Sequence, residues 1–224
     1  MSVVARAAAG LVVVFAALLC FAPSAAAAES IASYGVQATV EPDGSLVVRE
    51  TIAYDFGDAD RRGIFRTIPM WSELSDGTRW MHPATVRSVT VDGQPAPYTL
   101  AEDGPFLEVK IGDPDVTLTG EHVYEVAYVV QGALRTMTAD ELAEDNPYGF
   151  SPGDVELYWD FIGTGWSVDI DRAFVEVQGP GRVLAAQCFT GDYGASVGCT
   201  DRIVGDVAQF RQELLFAGEG LTVA

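Results

Sequence analysis

Three features of this chain predict an all-β fold, an antiparallel β-sandwich (Ig-like). Apolar and polar residues alternate with a period of two along most of the length, and clusters of Gly, Pro and Asp interrupt that alternation about every ten to twenty residues. Only one short stretch carries helix signals, so the pattern is that of many short strands joined by turns.

The leader comes first. Arg6 stands in a short polar start, an apolar run extends from Gly10 to Ala22, and Ala26, Ala27 and Ala28 precede Glu29. That layout reads as a secretory signal peptide over residues 1–28, and Pro23 and Ser24 interrupt the run in a way that suits cleavage better than a permanent spanning helix. Cys20 is not read as a lipid-attachment site, because Leu19 precedes it where a small residue is needed. The protein is therefore expected to be exported, either held at the cell membrane with this domain on the extracytoplasmic side or secreted if the chain ends at Ala224.

The strands follow in order. Val36, Ala38 and Val40 face one way and Gln37, Thr39 and Glu41 the other, and Pro42-Asp43-Gly44 turns the chain into a second strand, so this is a hairpin. The alternation recurs at Ala84 to Val91, Phe106 to Ile111, Glu121 to Gln131, Asp154 to Phe161, Ala173 to Gln178 and Val207 to Leu215. The one helix is expected over Thr138 to Glu144, where Thr138 and Glu141 have the spacing of a capping box. A subdivision near residue 135 into two packed sandwich lobes is the alternative to one continuous domain over residues 29–224.

Charge narrows the partners. The 13 basic and 32 acidic residues give a net charge of −19, and removing the leader takes away one arginine and no acid, which leaves −20. Such a surface repels nucleic acid and anionic headgroups and favours cationic partners or simple solubility. Cys188 and Cys199, the two cysteines after the leader, flank a Gly-rich loop and are expected to form a disulfide in an oxidising compartment.

Each chemical motif has a plainer explanation. Gly194-Ala195-Ser196-Val197-Gly198 spells a nucleophile elbow, but it lies between the two cysteines, and His82 and His122 both precede it, so Ser196 is not read as catalytic. Those histidines lack metal-ligand spacing and read as surface or partly buried residues. Asp58 to Gly63 begins like a calcium hand but has Arg62 at the fifth position and Pro69 where the closing acid belongs; a looser calcium site from Asp55, Asp58 and Asp60 is the remaining option. No metal or other cofactor is expected.

Two segments supply candidate site residues. Along Asp154 to Phe161, Asp154, Glu156, Tyr158 and Asp160 share one face, where neighbouring carboxylates would stand about 6.7 Å apart. Inverting glycosidases need roughly 6.5 to 9.5 Å, although a solvated face explains the same pattern. Trp159 reads as core, and Trp166, after Gly163-Thr164-Gly165, as lining a loop surface. In the second strand Leu46, Val48, Ile52, Tyr54 and Phe56 share an apolar face with Glu50, a carboxylate that must be paired or protonated there. Arg66 is its expected partner in a structural ion pair, and Tyr158, Asp160, Trp166 and Arg66 form the candidate binding set.

At these residues the chain resembles the N-terminal region of the bacterial predicted membrane protein family known as domain of unknown function 2207. The resemblance rests on Asp43 to Phe56, Gly63 to Pro69, Ile111 to Val130, Glu156 to Trp166 and the Cys188 to Cys199 loop, in that order. It implies an exported region followed by transmembrane helices in a C-terminal part absent from this chain, and it brings no catalytic residues. The expected role is an ectodomain of a membrane-anchored envelope protein that contacts another envelope protein or a wall polymer. The alternatives are a carboxylate-dependent hydrolase of envelope glycan, using Glu156, Asp160 or Glu50, and a structural spacer.

Overall fold

The computed structural model describes residues 28–73, 77–139, 149–195 and 197–224. The leader up to residue 27, residues 140–144 of the expected helix and Ser196 lie outside the described residues. Among the described residues no helix is long and apolar enough to cross a membrane.

The first hairpin organises the molecule. β1 (Ser30–Val40) and β2 (Leu46–Asp55) pair antiparallel, with Val40 opposite Leu46 and Val36 opposite Glu50. The turn between them is locked by Asp43, whose Oδ1 accepts hydrogen bonds from the Ser45 amide at 2.9 Å and the Ser45 hydroxyl at 2.6 Å. Period-two alternation then sends Leu46, Val48, Glu50, Ile52 and Tyr54 of β2 to the buried side.

β10 (Glu121–Val130) joins the free edge of β2, followed by β6 (Ala84–Val91) and the short β7 (Gln94–Pro95). On the far side of β1 lie β14 (Ala173–Gln178), β18 (Val207–Gln212) and β17 (Thr200–Val204). The result is one eight-stranded sheet in the order β17-β18-β14-β1-β2-β10-β6-β7, drawn from both sides of residue 135. One pair departs from the antiparallel pattern: β1 and β14 run parallel, Tyr34 opposite Ala173. β14 returns to the sheet from the opposite layer long after β1 in sequence, so no tight turn forces the two strands to oppose.

Smaller sheets cover the buried face. β3 (Ile64–Pro69), β9 (Phe106–Ile111) and β8 (Tyr98–Asp103) form one. β13 (Trp159–Ile162), β19 (Gly220–Val223), β15 (Cys188–Gly191) and β16 (Val197–Gly198) form another. A single hydrophobic core from Ile31 to Val223 lies between the layers, and each large side chain fully buried there contributes about 1.5–3 kcal/mol. Two further hairpins, β4 (Trp71–Glu73) with β5 (Arg79–Met81) and β11 (Leu134–Thr136) with β12 (Val155–Leu157), flank the sandwich.

Glycine is needed where β3 meets β9. Gly63 and Gly112 have φ of +130° and +141°, and a Cβ on Gly63 would lie 1.8 Å from the Ile111 carbonyl oxygen. This close backbone approach seats the Gly63 to Pro69 segment and so aims Arg66 into the core.

The expected strand from Asp154 to Phe161 is two strands in two different sheets. β12 pairs with β11 and β13 pairs with β19, with the break at Tyr158 and a bulge between Asp160 and Ile162. The chain changes partners at Tyr158: Trp159, Phe161 and Ile162 are all fully buried in the core, whereas β12 touches it only through the half-buried Leu157.

Candidate functional site

Glu50 and Arg66 meet in the middle of the sandwich. Tyr34 on β1 stands opposite Ile52, and Tyr128 on β10 stands opposite Val48, so both rings are diagonal neighbours of Glu50 on its two flanking strands. Arg66 reaches the same point from β3 in the covering layer. The Glu50 carboxylate accepts four hydrogen bonds: from Tyr34 Oη at 2.8 Å and Arg66 Nε at 2.7 Å on Oε2, and from Arg66 Nη2 at 2.6 Å and Tyr128 Oη at 2.7 Å on Oε1. Arg66 also donates to the Phe161 carbonyl at 2.9 Å and to the Thr67 carbonyl, which ties three sheets together.

Side-chain exposure is 0% for Glu50 and 1% for Arg66, so solvent screening is absent and the fork-to-fork geometry carries full weight. Burial pushes the Tyr34 and Tyr128 hydroxyls well above their usual range, and the Glu50 charge beside them adds to this. Burial works against the Arg66 charge, but neighbouring Glu50 more than offsets it and holds the guanidinium protonated. Every strong acceptor position of the carboxylate is taken by the fold itself. The cluster locks layers together.

An open feature lies at the end of the sandwich where β1 finishes. Val40, Val177, Ala208 and Phe210 from the large sheet form a floor, and the β11–β12 hairpin with Met137 and Phe150 forms one wall. The opposite wall is the extended segment from Gly179 to Gln187, and Val223 and Ala224 close the end. That segment is held by backbone hydrogen bonds, Gly179 N–H to the Asp206 carbonyl at 2.8 Å and Gln187 N–H to the Ala224 carbonyl at 2.8 Å. The groove encloses about 400 Å³, the size of a ligand cleft. Leu184 and Val155 on its walls are exposed, and Asp154, Glu156 and Arg182 supply its polar groups. Sequence reasoning missed this site: Val183-Leu184-Ala185-Ala186 is a short apolar run with no alternation, and its walls come from parts of the chain far apart in sequence.

The model of the predicted membrane protein family DUF2207, N-terminal domain, matches residues 30–224. This chain belongs to that family. The uncharacterized protein YciQ of Escherichia coli (strain K12) is 26% identical to this DUF2207 domain over 153 residues, 67% of this chain and 22% of that protein. The chain thus spans about a fifth of the curated relative it matches. Among solved structures, yeast leukotriene A4 hydrolase in complex with bestatin superposes with a TM-score of 0.53 at 8% identity, over 88% of this chain and 28% of the hydrolase. The native enzyme from Saccharomyces cerevisiae gives 0.53 at 9% identity, over 87% and 28%. At such identities the likeness concerns the fold alone. Family membership makes this DUF2207 domain part of a membrane-associated protein.

The structure does not bring the candidate binding set of this DUF2207 domain together. Trp166 does not line a loop surface: it is 7% exposed and packs edge-on against Tyr34, with ring centroids 5.7 Å apart. The bend at Gly163 to Gly165 turns the indole inward, where burial of its large apolar area is favourable. Arg66 is enclosed beside Glu50, whereas Tyr158 is 61% exposed at the junction between β12 and β13. Asp160 accepts a hydrogen bond from Thr222, and Glu156 faces Arg135 at 2.6 Å. The evenly spaced carboxylate row therefore does not exist, because Glu156 and Asp160 sit in different sheets.

The remaining residues are equally dispersed. Asp55 caps its own turn by accepting from the Gly57 amide at 2.8 Å, and among the described residues no group of three or more His, Cys, Asp or Glu could hold a metal ion. Asp55, Asp58 and Asp60 therefore do not converge on a calcium site. His122 contacts Asp92 at 2.7 Å on the surface, and His82 is buried. Cys188 and Cys199 form a disulfide with Cα atoms 5.5 Å apart, fastening the loop beyond β15.

Proposed function

We propose that this DUF2207 domain is the extracytoplasmic binding module of a membrane-anchored envelope protein, and that its partner is another protein presenting an apolar segment. The groove carries this reading, because its apolar walls and floor suit an apolar side-chain row better than a hydrophilic wall polymer. The net charge of −19 favours a partner with basic residues flanking that segment. Export is supported by the layout of residues 1–28 and by the disulfide, which suits an oxidising compartment. The carboxylates a glycan hydrolase would use are engaged elsewhere: Glu50 with Arg66, Glu156 with Arg135 and Asp160 with Thr222.

The test places a photo-crosslinking amino acid at Leu184 on the groove wall and, as a control, at Val116, an exposed residue outside the groove, in the protein expressed in its own cells. A discrete protein adduct at Leu184 and none at Val116 supports the reading. Absent or equal adducts at the two positions refute it. Protease added outside intact spheroplasts should cleave the domain; full protection would place it on the wrong side for this function.

A further inference from the structure

Away from the groove, the β4–β5 hairpin brings a serine to a histidine. His82, just after β5, is 7% exposed, and its Nδ1 lies 2.8 Å from the carbonyl oxygen of Gly132. A carbonyl only accepts, so Nδ1 carries the proton and the Nε2 of the neutral ring carries the lone pair. Ser72 Oγ lies 3.0 Å from that Nε2, and its hydroxyl is therefore the donor. Burial pushes the His82 pKa down, the Gly132 contact opposing only in part, which keeps the ring neutral near pH 7 with the Nε2 lone pair free to accept a proton.

This relay is a built feature. Gly132 has φ of +68°, and a Cβ there would lie 2.7 Å from the Met81 carbonyl oxygen, so only glycine lets the chain pass closely enough to present its carbonyl to His82. A buried histidine needs partners at both nitrogens, and this arrangement supplies them. One observation goes further. Ser72 itself is exposed on β4 and open to a substrate, while the buried Trp159 ring packs edge-on against His82 with centroids 5.4 Å apart and holds the imidazole in place. A nucleophile, a base and a group orienting the base are the parts of an acyl-transfer site.

We propose that Ser72 is a nucleophile activated by His82, with the Gly132 carbonyl as the positioning group, and that the site hydrolyses accessible esters. Ser72 Oγ attacks the ester carbonyl carbon as its proton passes to His82 Nε2. The tetrahedral adduct collapses, and the C–O bond to the alcohol breaks as that oxygen takes the proton from Nε2. Water then adds to the acyl-serine, giving a proton to Nε2 that returns to Ser72 Oγ as the carboxylic acid leaves.

A fluorophosphonate probe tests this on the protein purified from producing cells, since Ser72 would displace fluoride and gain the phosphonyl mass. The expected result is labelling on the Ser72 peptide, absent in Ser72→Ala and at least about 100-fold slower in His82→Gln. Because His82→Gln could disturb folding, a second comparison uses exposed positions only: Ser72→Cys should react with iodoacetamide at pH 7 at least about tenfold faster than Thr99→Cys, an exposed control. No label on Ser72, or equal thiol rates, would overturn the assignment.

Discussion

The Glu50–Arg66 cluster and the groove walled by residues 179–187 break the same rule in opposite directions. One puts charges in the core; the other leaves Leu184 and Val155 at the surface. The charged exception is resolved internally, since Tyr34, Tyr128 and Arg66 fill the acceptor positions of Glu50 and leave none for a ligand. The apolar exception is left open, with about 400 Å³ between its walls. A buried ion pair thus belongs to architecture here, and an apolar cleft left open among the described residues is the better guide to function.

The contrast can be broken most directly at Glu50. Glu50→Gln keeps the shape but leaves the Arg66 charge buried without a counterion, and should cost about 3–5 kcal/mol in denaturant unfolding. A loss below about 1 kcal/mol would show that the cluster does not lock the layers. Replacing the whole cluster with apolar residues (Glu50→Leu, Arg66→Met, Tyr34→Phe and Tyr128→Phe) should regain most of that loss, because no polar group is then orphaned. A quadruple variant as unstable as Glu50→Gln would mean that the charges themselves are needed.

Opening the disulfide with Cys188→Ala and Cys199→Ala should cost about 3 kcal/mol, by the chain entropy of so short a loop. A smaller pH effect should come from His82. Its folded-state pKa is lowered, so below the ordinary histidine value of about 6.5 the unfolded chain takes up a proton that the folded protein refuses, and stability falls with pH. The fall between pH 7.5 and 5.5 should be smaller in His82→Gln, measured by the same unfolding curves. In the groove, Val155→Gln should shift stability by no more than about 0.5 kcal/mol. A loss as large as that of Glu50→Gln would make the groove wall part of the core and erase the contrast.

Local regularity decided what could be read in advance. β9 and β14 coincide with their expected ranges because each alternates cleanly between turn signals, and β6 does so although its alternation slips by one residue at a bulge opposite Ala127 and Tyr128. β8, β15 and β17 lack a buried row of that kind or are too short to display it, and they exist because neighbours offer them an edge. Trp166 went astray for a related reason: Gly163 and Gly165 mark a loop, but a loop can still fold its indole onto Tyr34.

The sequence alone determined the β character, the turns, the inward placement of Glu50 and the pairing of the cysteines, because period-two alternation and turn chemistry are properties of neighbouring residues. Tertiary structure decided the rest. The parallel seat of β14 beside β1, the division of residues 155–162 between two sheets, the groove and the approach of Ser72 to His82 beneath Gly132 all depend on which distant strands share an edge or a layer. That choice is set by how the apolar faces close over one another across the whole chain, and no local window of residues contains it.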